Sequence, residues 1–386
     1  MAIRVSQEVD LYTQENIATL PWPSDGSLAY EQHCLVPFVE QGAHTFIRNV
    51  ETEFSLLQVG RHVFPITVNW TEYKSSYVCS PYTHNISYAL EELHNLDNKP
   101  IEWLCAIILK CLGILLKLGR INQTVHINNW LLSTNLYPDW KGHSIPDITK
   151  FCLNKWPKHA VIFRSINQCH EKEAFVEFKS AGYQFFLTRQ VYVFDGRNPE
   201  YLNKINFKRD WQLLQKSHYQ WVKHSEIYEN DIPRIIELYR DLYLEKYSYH
   251  NPQFTEAYIH LCLKEGLLIL HGLRHPSGRL DGVIGYFTRN EVMTTPIVGY
   301  DRALPKAFGL YRMLMAIVLK SAEDEQILLN LSAGAASFKR LRGGTGHLEY
   351  SALYLHHLPL YRRLPWYFLM ILMNTVGIFI MRKYQL

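Results

Sequence analysis

The chain lacks the short motifs that mark metal sites and nucleophilic hydrolases. Its seven cysteines include no C-x-x-C pair, which argues against a structural zinc site and against a disulfide framework. Sequences of the H-E-x-x-H, G-x-S-x-G and Walker types are also missing, so a zinc protease, an α/β-hydrolase and a P-loop nucleotidase are disfavoured. We expect no metal, and reduced buried thiols in a cytoplasmic protein.

Charge of one sign and low-complexity sequence are both scarce. The 40 Lys and Arg residues nearly balance 36 Asp and Glu residues, for a net charge of +4, so no clustered basic face favours nucleic acid as a partner. Residues 1–20 have no charged-then-apolar layout of a signal peptide. With 386 residues, of which 47% are apolar, the chain predicts two packed domains.

Long uninterrupted apolar runs are nearly absent. The run 101–118 contains Lys110 and Lys117, which favours a buried helix. The run 364–381 lies between basic pairs and is at the short limit of the roughly 20 residues that span a bilayer. It predicts a C-terminal helix that docks on the protein or lies in a membrane surface at the inner face, with a spanning helix as the alternative.

The C-terminal half has the clearest periodicity. Alternation and amphipathic spacing predict the order strand, helix, helix, three antiparallel strands, helix, strand, helix, strand. The last parts connect two strands through a helix and should pair in parallel, which gives a mixed α/β sheet with helices on both faces. The expected segments are 217–225, 232–242, 255–264, 266–273, 280–288, 292–300, 309–324, 327–331, 335–341 and 349–355.

The N-terminal half repeats part of this order in degraded form, which predicts a fold-level duplication. Strands are expected at 53–59, 62–70, 75–82, 124–132, 160–165 and 183–194, and helices at 88–96, 101–118 and 147–153. We therefore divide the chain into an N-terminal unit (1–195), a connector (196–215), a C-terminal unit (216–358) and a hydrophobic helix (359–386). The stretch after Tyr82 lacks glycine, so the N-terminal unit is expected to have no working cofactor loop.

One strand-loop-helix junction in the C-terminal half suits a phosphate group. The strand ending at Asp301 is followed by a loop with Lys306 and Gly309, and Arg312 lies in the first turn of the next helix. Unpaired amides at a helix N-terminus favour anions, and glycine permits close approach to the backbone. The alternative is an ordinary junction with surface cations.

The segment after the next strand resembles a motif of the GNAT acetyltransferases. Ser332-x-x-Ala335-x-x-Phe338-Lys339-x-x-x-Gly343 is similar to the family pattern Asn-x-x-Ala-x-x-Phe-Tyr-x-x-x-Gly, and the tandem layout resembles the Fem-type transferases. The resemblance implies that Ser332 faces the pantetheine arm or leaving thiol, and that Phe338 and Lys339 lie against the cofactor. It also implies a pyrophosphate site at Lys306, Gly309, Leu310, Tyr311 and Arg312.

The chain departs from the family pattern at two places. The loop has a single glycine, and Lys339 replaces the tyrosine of the motif. These departures fit an acyl-carrier-protein donor, whose phosphopantetheine has no 3′-phospho-ADP end. The expected donor is therefore an acyl-CoA or acyl-phosphopantetheine thioester, and the expected acceptor is a small-molecule or peptide amine.

Acyl transfer to an amine requires a base and an acid near the thioester. Asp301 and Glu349 are the candidate bases, Tyr300 is the candidate acid for the leaving thiolate, and Ser332 is the fourth candidate catalytic residue. The alternatives are that Asp301 caps its loop, that Glu349 pairs with Arg340 or Arg342, and that Tyr300 belongs to the core. An N-acyltransferase is the leading hypothesis, beside a Fem-type aminoacyl transferase using aminoacyl-tRNA and a non-catalytic GNAT-like binding protein.

Overall fold

The computed structural model describes residues 7–93 and 98–377, and in these residues twelve strands form one continuous sheet. The strands are β1 Val9–Tyr12, β2 Glu53–Val59, β3 His62–Asn69, β4 Thr124–Ile127, β5 Ala160–Asn167, β6 Gln184–Asp195, β7 Gln220–Val222, β8 Ile269–Arg274, β9 Leu280–Arg289, β10 Val292–Tyr300, β11 Leu328–Asn330 and β12 Thr345–Tyr354. The α-helices are α1 Ala29–Gln41, α2 Ala43–Phe46, α3 Tyr88–Glu92, α4 Lys99–Leu118, α5 Ile145–Lys155, α6 Lys172–Ser180, α7 Ile205–Lys216, α8 Ile232–Tyr239, α9 Glu256–Glu265, α10 Leu310–Asp324, α11 Ala336–Arg340 and α12 Leu360–Leu372.

The two halves of the chain have the same element order. The first half runs β1-α1-α2-β2-β3-β4-α5-β5-α6-β6, and the second runs β7-α8-α9-β8-β9-β10-α10-β11-α11-β12. In each half the first four strands pair antiparallel and the fourth pairs parallel with the fifth. The predicted fold, a mixed α/β sheet with a duplicated GNAT-like order, is confirmed.

The halves exchange their last strands. The sheet order is β1-β2-β3-β4-β5-β12-β6-β11-β10-β9-β8-β7, so β12 lies between β5 and β6, and β6 pairs antiparallel with β11. We expected a second, separate sheet, and that expectation is wrong. The predicted boundaries divide the sequence into consecutive units. In the structure, however, β12 of the C-terminal unit pairs with β5, and β6 of the N-terminal unit pairs with β11.

The insertion 70–123 separates the third and fourth strands of the first half. We expected a strand at 75–82, but this segment forms turns that lead into a π-helical turn and α3. The fourth strand is β4, and the helix equivalent to α10 is α5, whereas α4 belongs to the insertion. The loop equivalent to the candidate phosphate loop is therefore 128–144, and the glycine argument made for the stretch after Tyr82 concerned the wrong segment.

Helices cover both faces of the sheet. On one face α1, α2, α8 and α9 share a single core with strands of both halves. On the other face α5 and α6 cover the first half, and α7 and α10 cover the second. Helices α4 and α12 pack against Ile162 of β5, whereas its neighbours Val161 and Phe163 face α5 and α6. Because side chains alternate along a strand, α4 and α12 lie opposite α5 and α6.

The C-terminal segment docks on the protein as far as it is described. Trp366 and Leu369 of α12 are buried in the core beneath α4, and the Arg362 guanidinium donates to the Gly119 carbonyl at the end of α4. None of the helices in 7–93 and 98–377 has the length and hydropathy to cross a bilayer. The end of the predicted run 364–381, from 378 onward, lies outside the described residues.

Candidate active site

The parallel strands β10 and β11 separate after three residue pairs. Val292–Thr294 pair with Leu328–Asn330, and β10 then bulges at residues 295–296 and continues beside β9 to Tyr300. Beyond β11 the chain instead follows β6, because the Leu331 N–H donates to the Tyr192 carbonyl and the Ser332 carbonyl accepts from Tyr192. The predicted parallel pairing is confirmed. The strands diverge beyond Thr294, before β10 ends at Tyr300.

Ser332 lies at this divergence in a constrained turn. Its φ of 59° is in the left-handed region, which a non-glycine residue adopts rarely. The Ser332 N–H donates to Asn330 Oδ1 at 2.8 Å, and Ser332 Oγ accepts from the Thr134 hydroxyl at 3.5 Å. Ser332 therefore contacts the first half of the chain through Thr134, which precedes α5.

Arg189 connects Ser332 and Glu349 through that same threonine. Its Nη2 donates to Thr134 Oγ1 at 2.8 Å and to the Ser133 carbonyl at 2.7 Å, and its Nε donates to Glu349 Oε1 at 2.7 Å. The structure thus brings together two predicted site residues, Ser332 and Glu349, through two residues that the sequence analysis missed. An arginine within the apolar strand 184–195 was the available signal for Arg189; Thr134 offered none.

The Lys339 ammonium is directed at backbone carbonyls. Its side chain is buried and its Nζ donates to the carbonyls of Leu331, Ser332 and Ala333 at 2.7 to 3.2 Å. Burial, and then the nearby Arg189, lower the pKa of Lys339 to about 7, whereas three carbonyl acceptors favour the protonated form. We expected a cofactor contact, and the observed role is instead to hold the turn that carries Ser332.

Three aromatic residues lie together beside the divergence. The Tyr311 ring is 4.9 Å from the Phe338 ring and 6.1 Å from the Tyr300 ring, measured between centroids. The Arg342 guanidinium stacks on Phe338 at 3.3 Å. Tyr300, Tyr311 and Phe338 are each partly exposed, so they form an accessible aromatic wall. Burial chiefly raises the pKa of Tyr311.

The predicted phosphate loop is closed at its glycine. Residues 306–308 form a 3₁₀ turn, and the Gly309 N–H donates to the Lys306 carbonyl at 3.1 Å. A Cβ at Gly309 would lie 2.5 Å from Leu213 of α7. Glycine is needed at 309 because φ is 68° and because the backbone lies close to α7. The expected approach of a phosphate to Gly309 is therefore not supported. Leu310 is buried in the core, whereas Lys306 is exposed.

Arg312 is held by an acid of the connector. Its Nε donates to Asp210 Oδ1 of α7 at 2.6 Å, and Arg342 donates to Asp210 Oδ2 at 2.6 Å. The Asp210 side chain is buried, and the Arg312 side chain is 43% exposed. One carboxylate therefore partly neutralises both Arg312 and Arg342, which weakens their attraction for an anion.

Asp301 is held in an ion pair. Its Oδ2 accepts from Arg234 Nη2 at 2.7 Å, and its Oδ1 accepts from the Ala303 N–H at 2.9 Å. Burial alone would raise the pKa of Asp301, but the Ala303 hydrogen bond and then Arg234 lower it. A carboxylate held in this way is a weak base, so the expected role in proton transfer is not supported. The loop-capping alternative fits the contacts.

A cavity borders Glu349 on the face covered by α12. Its empty space of about 530 Å³ is partly open solvent, and about 40 Å³ of it admits the centre of a water molecule. Its lining includes Tyr77, His84, Arg164, Arg189 and Glu349. Burial and then arginine charge lower the pKa of His84 to about 3, so this histidine is neutral at physiological pH. In the described residues no group of three His, Cys, Asp or Glu side chains is arranged to hold a metal ion.

Tyrosines lie between this cavity and the aromatic wall. Burial is the main cause that raises the pKa of Tyr243, and the nearby Tyr311 and Tyr77 raise this pKa further. Tyr243 also stacks on Tyr239 with ring centroids 4.9 Å apart, and Tyr77 contacts Tyr88 at 5.7 Å. Tyr243 therefore lies close enough to Tyr77 of the cavity and to Tyr311 of the aromatic wall to be affected by the charge of each.

Comparison with known proteins agrees with this geometry. Residues 206–340 match the model of the family described as Acetyltransferase (GNAT) domain. The second half contains a GNAT domain. Because the first half repeats its element order and pairing, the molecule is a tandem of two GNAT-like units with an acyltransferase-type fold. No curated protein sequence matches the chain at a significant level.

Several solved structures are similar to parts of this chain at low sequence identity. L-PGS from Bacillus licheniformis is 14% identical, with a TM-score of 0.44 over 59% of this chain and 78% of that one. FemX is 10% identical, with a TM-score of 0.47 over 57% and 78%. A tandem GNAT protein from the clavulanic acid biosynthesis pathway is 9% identical, with a TM-score of 0.37 over 90% and 98%.

Proposed function

We propose that this protein is an N-acyltransferase that moves an acyl group from an acyl-CoA or acyl-carrier-protein thioester to an amine. The observation that carries the proposal is the divergence of β10 and β11 beyond Thr294 and Asn330, with Ser332 at its edge. Strand edges that lose their partner offer unpaired amides and carbonyls to an extended, amide-containing arm. Pantetheine is such an arm, and Phe338 would pack against it.

The closed loop favours a donor held by its pantetheine rather than by its diphosphate. The Gly309 N–H is already bonded to the Lys306 carbonyl, and Asp210 partly neutralises Arg312. What remains for a phosphate is the first-turn amides of α10, including those of Leu310 and Tyr311, with exposed Lys306 nearby. One phosphate fits these groups better than the three of CoA, which supports the carrier-protein form of the donor.

Glu349 is the favoured proton acceptor of the proposed reaction. Its Oε2 has no hydrogen-bond partner within the described residues, and its Oε1 is one arginine and one threonine away from Ser332. The amine nitrogen would bond to the thioester carbonyl carbon, the C–S bond would break, and the amine would lose its proton towards Glu349. Tyr300, beside Tyr311, remains the proposed acid for the leaving thiolate.

A Fem-type aminoacyl transferase is the second candidate, favoured by the tandem arrangement of the two units. Thermal unfolding with CoA, an S-alkyl phosphopantetheine or aminoacyl-tRNA separates the candidates, because a ligand at one hundred times its dissociation constant stabilises by about 2.7 kcal/mol. We expect phosphopantetheine to stabilise the wild type, Phe338→Ala to respond less, and exposed Val176→Ser to respond fully. Stabilisation by aminoacyl-tRNA alone would replace the thioester proposal.

We also propose that α4 and α12 rest on an anionic membrane surface. Large apolar side chains are exposed on both helices, among them Trp103 at 69% and Leu118 at 71%. Lys110 and Lys117 of α4 lie among them, and each basic residue near an anionic surface adds about 1 kcal/mol of attraction. The exposed set, here called the apolar platform, comprises Ile101, Trp103, Leu104, Ile107, Ile108, Ile114, Leu115, Leu118, Leu360, Tyr361, Leu364, Phe368 and Ile371.

Sedimentation with phosphatidylglycerol-containing vesicles tests the apolar platform. Trp103→Ser with Phe368→Ser should release most of the bound protein, because each removes apolar area that the interface would bury. Val176→Ser, an equally exposed apolar site on α6 at the opposite face, is the matched control and should bind like the wild type. If these platform variants bind vesicles as well as the wild type does, the membrane proposal is refuted. If the wild type is a dimer and the platform variants are monomers, the platform is instead an interface between two copies.

A further inference from the structure

The cavity beneath α12 has a partly polar lining that includes no residue of β10 or β11. Its walls come from β4, β5, β6 and β12 and from the insertion 70–123, so the first half of the chain provides most of it. One side is apolar, with Phe186, Leu353 and Trp366, and the other carries Arg164, Arg189 and Glu349. A cavity with this division accommodates a small molecule that has one charged end and one apolar end.

The charges around the cavity do not balance. Among its lining residues in the described chain the cations are Arg164 and Arg189, and the acid is Glu349. His84 and His126 add no charge, because burial and then arginine lower the pKa of each to about 3. One guanidinium therefore remains without a counter-charge in a buried setting, and burial of an unpaired charge is costly. An anion in the cavity would remove this cost.

Arg164 is the cation without an acid. Its Nη1 donates to the carbonyls of Val78 at 2.7 Å and Leu132 at 3.4 Å and to Asn129 Oδ1 at 3.3 Å, all neutral acceptors. Arg189, in contrast, donates to the Glu349 carboxylate at 2.7 Å. A guanidinium has five donors in a planar fork that matches a carboxylate. Arg164 is thus the residue in this cavity best suited to hold an anionic ligand group.

Glu349 presents the opposite requirement. Its side chain is 3% exposed, its Oε1 is bonded to Arg189, and its Oε2 has no partner in the described residues. A buried carboxylate oxygen without a donor costs free energy until a donor arrives. An ammonium or amine would satisfy it, and this amine would lie at the Glu349 end of the Glu349–Arg189–Thr134–Ser332 chain, whose other end is at the divergent strands.

We infer that the cavity binds the acceptor and that the acceptor is a free α-amino acid with an apolar side chain. Its carboxylate would pair with Arg164, its amine would meet Glu349, and its side chain would rest against Phe186, Leu353 and Trp366. This inference depends on the proposed function, since it names the amine of that reaction. The charge count, the unpartnered carboxylate oxygen and the apolar wall each support one part of the ligand.

The proton balance follows from this placement. A bound ammonium gives one proton to Glu349 and becomes a nucleophilic amine. The amine nitrogen bonds to the thioester carbonyl carbon as the C–S bond breaks, Tyr300 gives its proton to the leaving thiolate, and the nitrogen's second proton replaces the proton of Tyr300. The products are an N-acyl amino acid and a free thiol, and Glu349 then releases its proton to solvent. No oxidant, reductant or metal is required.

A ligand series on the wild-type protein tests the inference without any substitution. Leucine should raise the midpoint of thermal unfolding, whereas 3-methylbutylamine, which lacks the carboxylate, and 4-methylpentanoate, which lacks the amine, should not at the same concentration. Aspartate and lysine should also fail, because their charged side chains would meet the apolar wall. Equal stabilisation by leucine and 3-methylbutylamine, or stabilisation by no amino acid, would overturn the inference.

Two variants locate the binding. Glu349→Gln and Arg164→Lys should each weaken leucine binding by about tenfold or more in calorimetry, a loss of about 1.4 kcal/mol. Arg197→Lys, an exposed arginine paired with Asp195, should leave it unchanged. Leucine affinity retained by both cavity variants would place the amino acid elsewhere and refute the assignment.

The donor assay separates this inference from the proposed function. Thiol release from an acyl-phosphopantetheine with 3-methylbutylamine but not with leucine would keep the acyltransferase and refute the amino acid. Leucine binding with no thiol release from any thioester would keep the site and refute the proposed reaction. Thiol release that requires leucine would support both.

Discussion

Removal of Arg189 should destabilise the fold in a way that depends on pH. The change Arg189→Met keeps the length of the side chain and removes the guanidinium that pairs with Glu349 at 2.7 Å. Side-chain exposures are 18% for Arg189 and 3% for Glu349, so the carboxylate left behind stays buried without its counter-charge. Breaking a buried pair from one side costs about 3–5 kcal/mol, and we expect the lower end because Arg189 is partly exposed.

The companion variants isolate the charge. Glu349→Gln keeps an acceptor for Arg189 but removes its counter-charge, and it should cost about 2 kcal/mol, less than Arg189→Met because Arg189 is partly exposed. The double variant Arg189→Met, Glu349→Gln has no buried unpaired charge and should be more stable than Arg189→Met alone by about 2 kcal/mol. Urea unfolding followed by circular dichroism gives the four free energies of unfolding and hence the coupling.

The sign of the pH effect follows from proton binding. In Arg189→Met the folded chain favours the protonated Glu349 side chain, whereas the unfolded chain ionises it normally. The folded state then binds more protons, so stability falls as pH rises, and the deficit should be larger at about pH 7.5 than at about pH 5. A deficit below about 1 kcal/mol, or one equal at both pH values, would refute the account of Arg189 as the counter-charge of a buried carboxylate.

Two further substitutions test the contacts around α7. Gly309→Ala should destabilise by more than about 1 kcal/mol, because φ is positive and the new Cβ would lie 2.5 Å from Leu213. The control Gly278→Ala is also at positive φ but in open space and should cost less. Equal costs in urea unfolding would contradict the contact with α7. Asp210→Asn should cost about 3 kcal/mol in the same assay, because it removes the counter-charge of buried Arg342. A cost below about 1 kcal/mol would show that Arg342 finds another partner.

Local sequence patterns were sufficient for the second half of the fold. The tight turns between β8, β9 and β10 force antiparallel neighbours, and the amphipathic α10 returns the chain to a parallel strand. These features depend on residues close in sequence, and each predicted element of that half exists within a few residues of its predicted bounds. The first half was harder because the insertion 70–123 contains apolar residues that mimic core elements.

The strand exchange could not be read from the sequence. The apolar residues of β6 and β12 suit any central position in a sheet, so their pattern is the same whether each pairs within its own half or across to the other. Choosing between these arrangements requires knowing which strand edge is open, and that depends on contacts more than one hundred residues apart. The separate-sheet prediction failed for this reason.

The candidate site was predicted only in part, because some of its contacts also join residues that are far apart in sequence. Tyr311 and Phe338 are in contact, and Ser332 and Phe338 follow β11 in one short segment. Glu349 was predicted as a base, with pairing to Arg340 or Arg342, which are near in sequence, as the alternative. It pairs instead with Arg189, a residue 160 positions away, because β12 lies between strands of the other half.

The structure of the protein with a bound S-alkyl phosphopantetheine tests the central proposal most directly. We predict that the arm lies between β10 and β11 beyond Thr294 and Asn330, that its sulfur end lies near Ser332, and that its phosphate lies at the start of α10. Binding of the analogue elsewhere, with the space between these strands closed, would contradict the acyltransferase proposal.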